Sequence, residues 1–377
     1  MNSIKIYIKN LCEYIIDLII HLFPISDNTL LNEIKKLLLG INAELIFATE
    51  GKSWVIKMVV KYLTKNLNEQ ELIKAEISNP RHFKKKIIHF GSINCLLNNK
   101  GLTKVKTPNK TVLTWFHITP TDIRLKFVPI LNKIIDIVHT SSPITKKKLI
   151  ELGFDNNKIV VIPLGVDLYH FKKINEEKKR YLKKKFNIPE NKIIIGSFQK
   201  DGVGWGAGLE PKLIKGPDIF CEVAKSLNEA CDIHVFLTGP ARGYIKKQLE
   251  GYNIPYTHIF LDNYLDLVEC YNILDLYLVT SRAEGGPLSI LEAMATGVPL
   301  VTTNVGMVPI VVKHGLNGFV TEINDANQLY QYSTEIIKNK ELREKIIANG
   351  LKTVQNYSWK VIAKEYYEKI YKRLLDY

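Results

Sequence analysis

The sequence predicts an α/β protein in which two Rossmann-like halves, each a parallel sheet with crossover helices, face each other across a cleft. Three observations lead there. The chain has 377 residues, more than one ordinary domain. Short apolar β-branched runs alternate with helical stretches, the pattern of strands buried on both faces with helices crossing between them. The alternation comes in two blocks, with a Lys-rich stretch between them and helical periodicity alone from Ala326 on.

Residues 1–40 read as an extension. From Ile4 to Phe23 the chain is mostly apolar, but Lys9, Glu13, Asp17 and His21 recur every fourth residue and would share one stripe of a helix. A membrane span would place two carboxylates near the bilayer centre at about 2.5–3.5 kcal/mol each. A signal peptide lacks acidic groups in its apolar core. The segment is therefore an amphipathic helix, either docked on the domain or lying in a membrane interface.

Residues 41–172 form the first domain, with strands expected at Glu44 to Ala48, Lys86 to Phe90, Thr111 to Phe116, Ile134 to His139 and Lys158 to Ile162. Helices are expected at Trp54 to Leu67, Ile123 to Lys133 and Pro143 to Leu152. A helix from Asn175 to Phe186 opens the second domain, residues 173–355. Its strands are Lys192 to Phe198, Ile233 to Thr238, His258 to Leu261, Leu274 to Thr280, Val298 to Thr302 and Gly318 to Thr321, and a last helix occupies 356–377. In such sheets ligands bind beyond the carboxyl ends of the strands.

A composition of 46% hydrophobic and 24% charged residues excludes a disordered or fibrous chain. The five cysteines (Cys12, Cys95, Cys221, Cys231, Cys270) include no C-x-x-C pair, which argues against a disulfide framework and a zinc site and for a reducing cytosol. The net charge is 52 − 38 = +14; residues 1–170 carry 24 cations and 14 anions, or +10 of it. Such an excess attracts polyanions. No zinc-finger, RRM or basic-zipper pattern accompanies it, so nucleic acid is not the expected partner.

Several catalytic signatures are absent. Gly51-Lys52-Ser53 is no Walker A loop, since Ile46 stands where the first Gly belongs, and Gly202, Gly204, Gly206 and Gly208 never spell G-x-G-x-x-G. There is no G-x-S-x-G, no H-E-x-x-H and no D-x-D carboxylate pair of the kind that holds a metal and a nucleotide diphosphate. The informative stretch runs from Thr280 to Pro299. It follows a strand, turns through Gly285-Gly286-Pro287 and opens a helix at Leu288 and Ser289 whose first N–H groups form an anion site. Glu284 precedes that helix and Glu292 lies about a turn inside it, so two carboxylates reach one cleft from different heights, one for a sugar's hydroxyls and one for a ribose diol.

This stretch resembles the E-x7-E motif of the retaining glycosyltransferases of family 4, which adopt the GT-B fold. The likeness extends to Pro163-Leu164-Gly165-Val166-Asp167 with Phe171, where Leu164 replaces the usual Asn. It continues through Lys192 to Phe198 with Lys215-Gly216, Thr238-Gly239-Pro240, Val305 to Pro309, Asn317-Gly318-Phe319 and Ser358-Trp359, leaving only residues 1–40 outside. Two departures stand out: Ile310 replaces a frequent Glu, and the loop Thr49 to Trp54 keeps one glycine, Gly51, where the family carries several.

The resemblance implies a metal-independent hexosyltransferase with no cofactor. It would move a hexose or N-acetylhexosamine from a nucleotide-diphosphate sugar to a glycan or lipid-linked acceptor, in polysaccharide biosynthesis. Glu284 and His117 would contact the donor sugar, while Lys215 and Lys200, the latter where the family has Arg, would neutralise the diphosphate. Glu292, Gly239, Gly285, Gly286, Leu288 and Ser289 would bind the donor; Gly51 and Ser53 allow close backbone approach on the acceptor side, where Trp54 could stack on a sugar. A non-catalytic sugar-nucleotide-binding partner and a sugar-nucleotide epimerase of the same fold are the alternatives. Lys57, Lys61 and Lys65, with Lys84 to Lys86 and Lys146 to Lys148, suggest a cytoplasmic enzyme attached to an anionic inner membrane face, or else a surface evolved for solubility.

Overall fold

The computed structural model describes residues 42–375 apart from 51–53, 99–100, 104–107 and 120–121; the segment from Ile4 to Phe23, together with Gly51 and Ser53, lies outside the described residues. The first sheet contains β1 (Leu45–Ala48), β2 (Ala75–Ile77), β3 (Ile87–Phe90), β6 (Lys110–Thr114), β7 (Ile137–Thr140) and β8 (Ile159–Val161), while β4 (Leu97–Asn98) and β5 (Gly101–Leu102) pair separately as a small antiparallel hairpin. The six strands are all parallel in the order β2-β1-β3-β6-β7-β8, with Phe47 opposite His89 and Leu113 opposite Val138. The second sheet holds β9 (Ile193–Phe198), β10 (Ile233–Thr238), β11 (Tyr256–Ile259), β12 (Leu276–Val279), β13 (Leu300–Thr303) and β14 (Phe319–Thr321), again parallel, in the order β11-β10-β9-β12-β13-β14. Two parallel sheets with crossover helices are the architecture the alternating pattern predicts.

Several readings change. Strand β2 is absent from the expected set, because Ala75–Ile77 is a three-residue edge strand too short for periodicity to register. Strand β11 starts at Tyr256, two residues before the expected His258, since pairing with Val235 to Thr238 sets its register. The expected Ile123 to Lys133 helix begins as a 3₁₀ turn over Ile123–Phe127, and the α-helix is Val128–Ile134 with Pro129 in its first turn.

Among the described residues the chain passes between the domains twice, and the two passages lie side by side. On the way out, Val166 receives a hydrogen bond from Trp359 N (3.3 Å) and donates to Tyr357 O (2.8 Å), so Gly165-Val166 pairs with the returning strand of chain at Ser358. A Cβ on Gly165 would sit 2.7 Å from the Trp359 ring, which is why this motif position needs glycine. Tyr62 of the Trp54–Glu69 helix stacks flat on Trp359 at 5.5 Å, and its hydroxyl donates to Asp167 (2.7 Å), which also holds His170 (2.6 Å).

After this passage the final helices, Trp359–Tyr366 onward, pack on the first domain. Tyr366 and Tyr371 are buried there against two buried histidines of the sheet. The Tyr371 hydroxyl lies 2.8 Å from His89 Nδ1, His89 Nε2 lies 2.8 Å from Thr114 Oγ1, and Thr114 Oγ1 lies 3.0 Å from His139 Nδ1. His139 Nε2 ends the chain at the Ile162 carbonyl (2.9 Å), with the Tyr366 hydroxyl against the same ring. Every link is satisfied with both rings neutral and protonated at Nε2.

Burial drives the His139 imidazole down from 6.5 to about 4, and burial with the neighbouring His139 ring drives His89 well below the ordinary histidine value. A folded value below the unfolded one means stability present in full above pH 6.5 and lost as the pH falls toward 4. His139 alone should contribute roughly 3 kcal/mol to that loss, at 1.36 kcal/mol per unit of pKa. Urea melts between pH 8 and 4 check this: His139→Asn should flatten the slope, and an undiminished slope in the variant rules out the network as its source.

Candidate active site

The loops that follow β9, β10 and β12 meet at the carboxyl edge of the second sheet, facing the first domain. Lys215 closes a 3₁₀ turn, Leu213–Lys215, and Gly216 follows at φ 62°, the left-handed conformation that opens the Pro217–Ala230 helix. A Cβ on Gly216 would lie 2.0 Å from the Thr280 carbonyl, so only glycine lets this turn pack on the end of β12. Three contacts then fix Lys215: Gln199 Nε2 donates to its carbonyl (3.1 Å), Arg282 N donates to Ile214 O (2.9 Å), and the Arg282 guanidinium grips Asp218 through two bonds of 2.8 and 2.6 Å.

The Lys215 ammonium donates to Glu284 Oε1 at 2.5 Å, and Ser281 Oγ donates to the same oxygen at 2.8 Å. Burial works to raise the Glu284 pKa, but the Lys215 charge and these hydrogen bonds win and hold it below the ordinary glutamate value, so the group is a carboxylate at neutral pH. Both of these bonds fall on one carboxylate oxygen.

His117 approaches from the first domain, just past the end of β6. Gly285 makes this possible: its Cβ would be 2.5 Å from Phe116 Cβ, and a Cβ on Gly286 would be 2.8 Å from Ser141 Oγ and 3.0 Å from Leu164. The Gly-Gly turn is thus where the two domains touch. His117 keeps an exposed edge in the cleft, and the charges of His117 and Glu284 act on one another. Crowding by protein lowers the imidazole pKa, reinforced by Lys215, Arg124 and Lys212 and opposed by Glu284. At neutral pH it is a hydrogen-bonding group rather than a cation.

Glu292 is placed differently from Glu284. It is 4% exposed, with one oxygen bonded to the Tyr264 hydroxyl and the other to the Tyr271 hydroxyl (2.8 Å), and burial raises its pKa. Tyr264 also lines a cavity of about 570 Å³ and so stands between that cavity and Glu292. Phe198, Lys200, Trp205, Gly239, Pro240 and Phe260 line it from the second domain, and Met58 of the Trp54–Glu69 helix from the first. Gly239, at φ 90°, keeps its backbone against Gln199. Leu288 packs on the core, and no side chain caps the Leu288–Ala295 helix that Ser289 helps to open. Of the acceptor-side residues, only Trp54 is described, as the first residue of its helix.

Sequence reasoning missed three parts of the site. Lys212 stands beside Lys215 and Lys200, and burial and those two charges lower its pKa. Gln199, next to Lys200, holds the Lys215 carbonyl through Nε2. Arg242, fully buried, pairs with the equally buried Asp201 at 3.1 Å and donates to the carbonyls of Ser197 (2.9 Å), Gln199 (2.5 Å) and Thr238 (3.0 Å), tying the loops after β9 and β10 together. A lone Arg two residues past a Gly-Pro turn carries no signal of this; only the tertiary neighbours reveal it. Among the described residues no three His, Cys, Asp or Glu side chains converge as a metal cluster.

Residues 207–353 match the family described as glycosyl transferases group 1, a stretch confined to the second domain. The chain is 28% identical over 197 residues to N-acetyl-alpha-D-glucosaminyl L-malate synthase of Bacillus anthracis, covering 50% of this chain and 48% of the relative. It is 31% identical over 220 residues, 54% of this chain and 53% of the relative, to the Escherichia coli UDP-Gal:alpha-D-GlcNAc-diphosphoundecaprenol alpha-1,3-galactosyltransferase. The chain thus spans about half the length of the curated relatives it matches. The structure of Anabaena HepE in complex with UDP and glucose superposes with a TM-score of 0.69 at 17% identity, over 87% of this chain and 99% of that one. The fold is therefore the two-domain GT-B fold.

The Lys215–Glu284 pair makes a stability prediction. The two side chains are 23% and 14% exposed, so Lys215→Met should cost about 1–3 kcal/mol at pH 7, less than the roughly 3–5 kcal/mol of a pair sealed from water. Lys215 depresses the carboxyl pKa, so its contribution is present above the ordinary value of 4.5 and lost as the pH falls through the lower folded value. Denaturant melts should show the wild-type advantage shrinking below pH 4.5; a constant difference down to pH 3 would mean that the pair does not carry it.

Proposed function

We propose that the protein is a retaining glycosyltransferase of family 4 type that moves a hexose or N-acetylhexosamine from a nucleotide-diphosphate sugar to a glycan or lipid-linked acceptor. The observation that carries this reading is the convergence of Lys215, Ser281, Glu284 and His117 where Gly285 lets the domains touch, beside a cavity lined from both domains. The Escherichia coli relative is named a galactosyltransferase, and its name specifies a UDP-sugar and a diphosphoundecaprenol acceptor, which fits the proposed substrate classes.

In this reading the donor's diphosphate lies against the uncapped start of the Leu288–Ala295 helix, and Lys215, with Lys200 and Lys212, receives the charge that builds as the glycosyl–oxygen bond breaks. Glu284 accepts hydroxyl hydrogen bonds from the transferred sugar, and neutral His117 orients it from the opposite wall. The acceptor hydroxyl attacks from the face the diphosphate leaves and gives its proton to the departing phosphate oxygen. This is a front-face route that asks for no side-chain nucleophile. The fixed cations take the part a divalent metal plays elsewhere, so we propose turnover without one.

Thermal-shift measurements with UDP-, GDP- and ADP-sugars should identify the donor, since a ligand binding only the folded state raises the melting temperature. Glu292→Ala should then weaken nucleotide binding, and Lys215→Ala should lower kcat by about 10²–10³, the usual loss when a group that stabilises developing charge is removed. Full kinetics in both variants, or donor turnover abolished by EDTA and restored by manganese, would overturn the reading.

Attachment to an anionic membrane is part of the same proposal. Lys57, Lys61 and Lys65 are exposed along one face of the Trp54–Glu69 helix, and Lys84 and Lys85 are exposed before β3. Lys146 and Lys148 instead reach the carbonyls of Ile159 (3.3 Å) and Ile118 (3.4 Å), leaving Lys147 as the exposed member of that cluster. No helix among the described residues is long and apolar enough to cross a membrane. Sedimentation with vesicles should show binding to anionic but not neutral lipid, weakened by salt and by deletion of residues 1–24. Equal recovery in the supernatant with both lipids would dissociate the basic surface from membrane binding.

A further inference from the structure

The alternating glycines between β9 and the Lys215 turn, which match no nucleotide fingerprint, build a rigid loop. Val203 N donates to Glu210 O (2.9 Å) and Lys212 N to Asp201 O (2.7 Å), closing it at the base. A Cβ on Gly202 would lie 2.3 Å, and one on Gly208 2.2 Å, from the Ala241 carbonyl oxygen. The loop is therefore pressed on the turn after β10, and Gly243 N and Tyr244 N donate to the carbonyls of Ala207 and Gly208 at 2.8 Å. At its tip Trp205 is 76% exposed, a costly place for the largest apolar side chain. Its ring lines the 570 Å³ cavity, and the Lys200 ammonium stands over it at 4.6 Å from the centroid.

Lys200 needs such a partner. Lys212 and Lys215 lie close by, and burial, followed by the charges of Lys215 and Lys200, lowers the Lys212 pKa. Like charges drive a long, flexible side chain toward open solvent, and no carboxylate pairs with Lys200 among the described salt bridges. An aromatic face holds an ammonium without neutralising it, leaving its charge for an anion.

We propose that Trp205 is a positioning residue whose indole face keeps the Lys200 ammonium in the cavity beside Lys212 and Lys215, so that the three cations meet a nucleoside diphosphate as a preformed set. The inference rests on the glycosyltransferase reading for the identity of the anion. Preforming the set removes the ordering cost that binding would otherwise meet. An exposed cation–π contact is worth about two- to fivefold in affinity.

Calorimetry with UDP, GDP and ADP, and with uridine, guanosine and adenosine, tests it. For the base that the wild type binds, Trp205→Leu should weaken the diphosphate two- to fivefold and leave the nucleoside unchanged, and Trp205→Phe, which keeps a π face, should restore most of the loss. In a Lys200→Met background Trp205→Leu should have no further effect, since the tryptophan acts through that lysine. Equal loss for nucleoside and diphosphate would instead make Trp205 a base-stacking residue, and additivity with Lys200→Met would also overturn the proposal. Wild-type protein that binds none of the six compounds would sink the glycosyltransferase reading and this inference with it; normal wild-type binding with unaffected variants would sink this inference alone.

Discussion

The site depends on a contact that has no side chain on one of its two faces. At Gly285 the second domain lays bare backbone on Phe116 of the first, and at Gly286 it does so on Ser141 and Leu164, each within the distance a Cβ would need. Protein interiors are too densely packed to absorb an extra methyl group here without a rigid-body shift. Because Glu284 precedes this contact and His117 follows Phe116, one close approach sets the distance between the carboxylate and the imidazole. A methyl group at residue 285 would wedge the walls of the cleft apart while leaving both side chains intact.

Around that contact the second domain spends its polar groups on holding loops rather than on the chemistry. Arg242 and Asp201 are a buried pair whose attraction does little more than offset desolvation, yet the arginine's three carbonyl partners lock two strand-end loops in register. Gln199, Thr280 and Arg282 do the same for the Lys215 turn. The partly buried groups Lys215 and Glu284 thus meet in a frame that has little freedom to relax, which is the condition the proposed reaction sets for fixed charges facing a departing anion.

The two-sheet architecture was legible because strands buried on both faces leave continuous apolar β-branched runs, as in Ile193–Phe198 and Ile233–Thr238. Edge strand β2, with its three residues Ala-Glu-Ile, carries too little pattern to be seen. Within the site, Glu284 and Lys215 could be picked out by the turn chemistry around them. What Glu292 does could not, since Tyr264 and Tyr271 reach its carboxylate from a different part of the chain. Gly285 and Gly286 stand out in the sequence as a turn, whereas in the fold they are required by what lies across the cleft. Lys212 sits in no motif and is revealed only by the charges that folding brings near it.

The return of the last helices to the first domain has a consequence for how the chain is made. His89 and His139 lie in strands completed early in synthesis, and Thr114 bonds both, but each also takes a tyrosine hydroxyl, of Tyr371 and Tyr366, from 282 and 227 residues away. Domains generally fold as they emerge, amino-terminal first. Here the first sheet leaves the ribosome with two imidazoles that have Thr114 but lack their tyrosine partners, and with the groove that takes Trp359 and Tyr366 open to water. The amino-terminal domain is therefore the last to be sealed, and a nascent chain truncated before residue 359 should remain a substrate for chaperones even after its carboxyl-terminal sheet is complete.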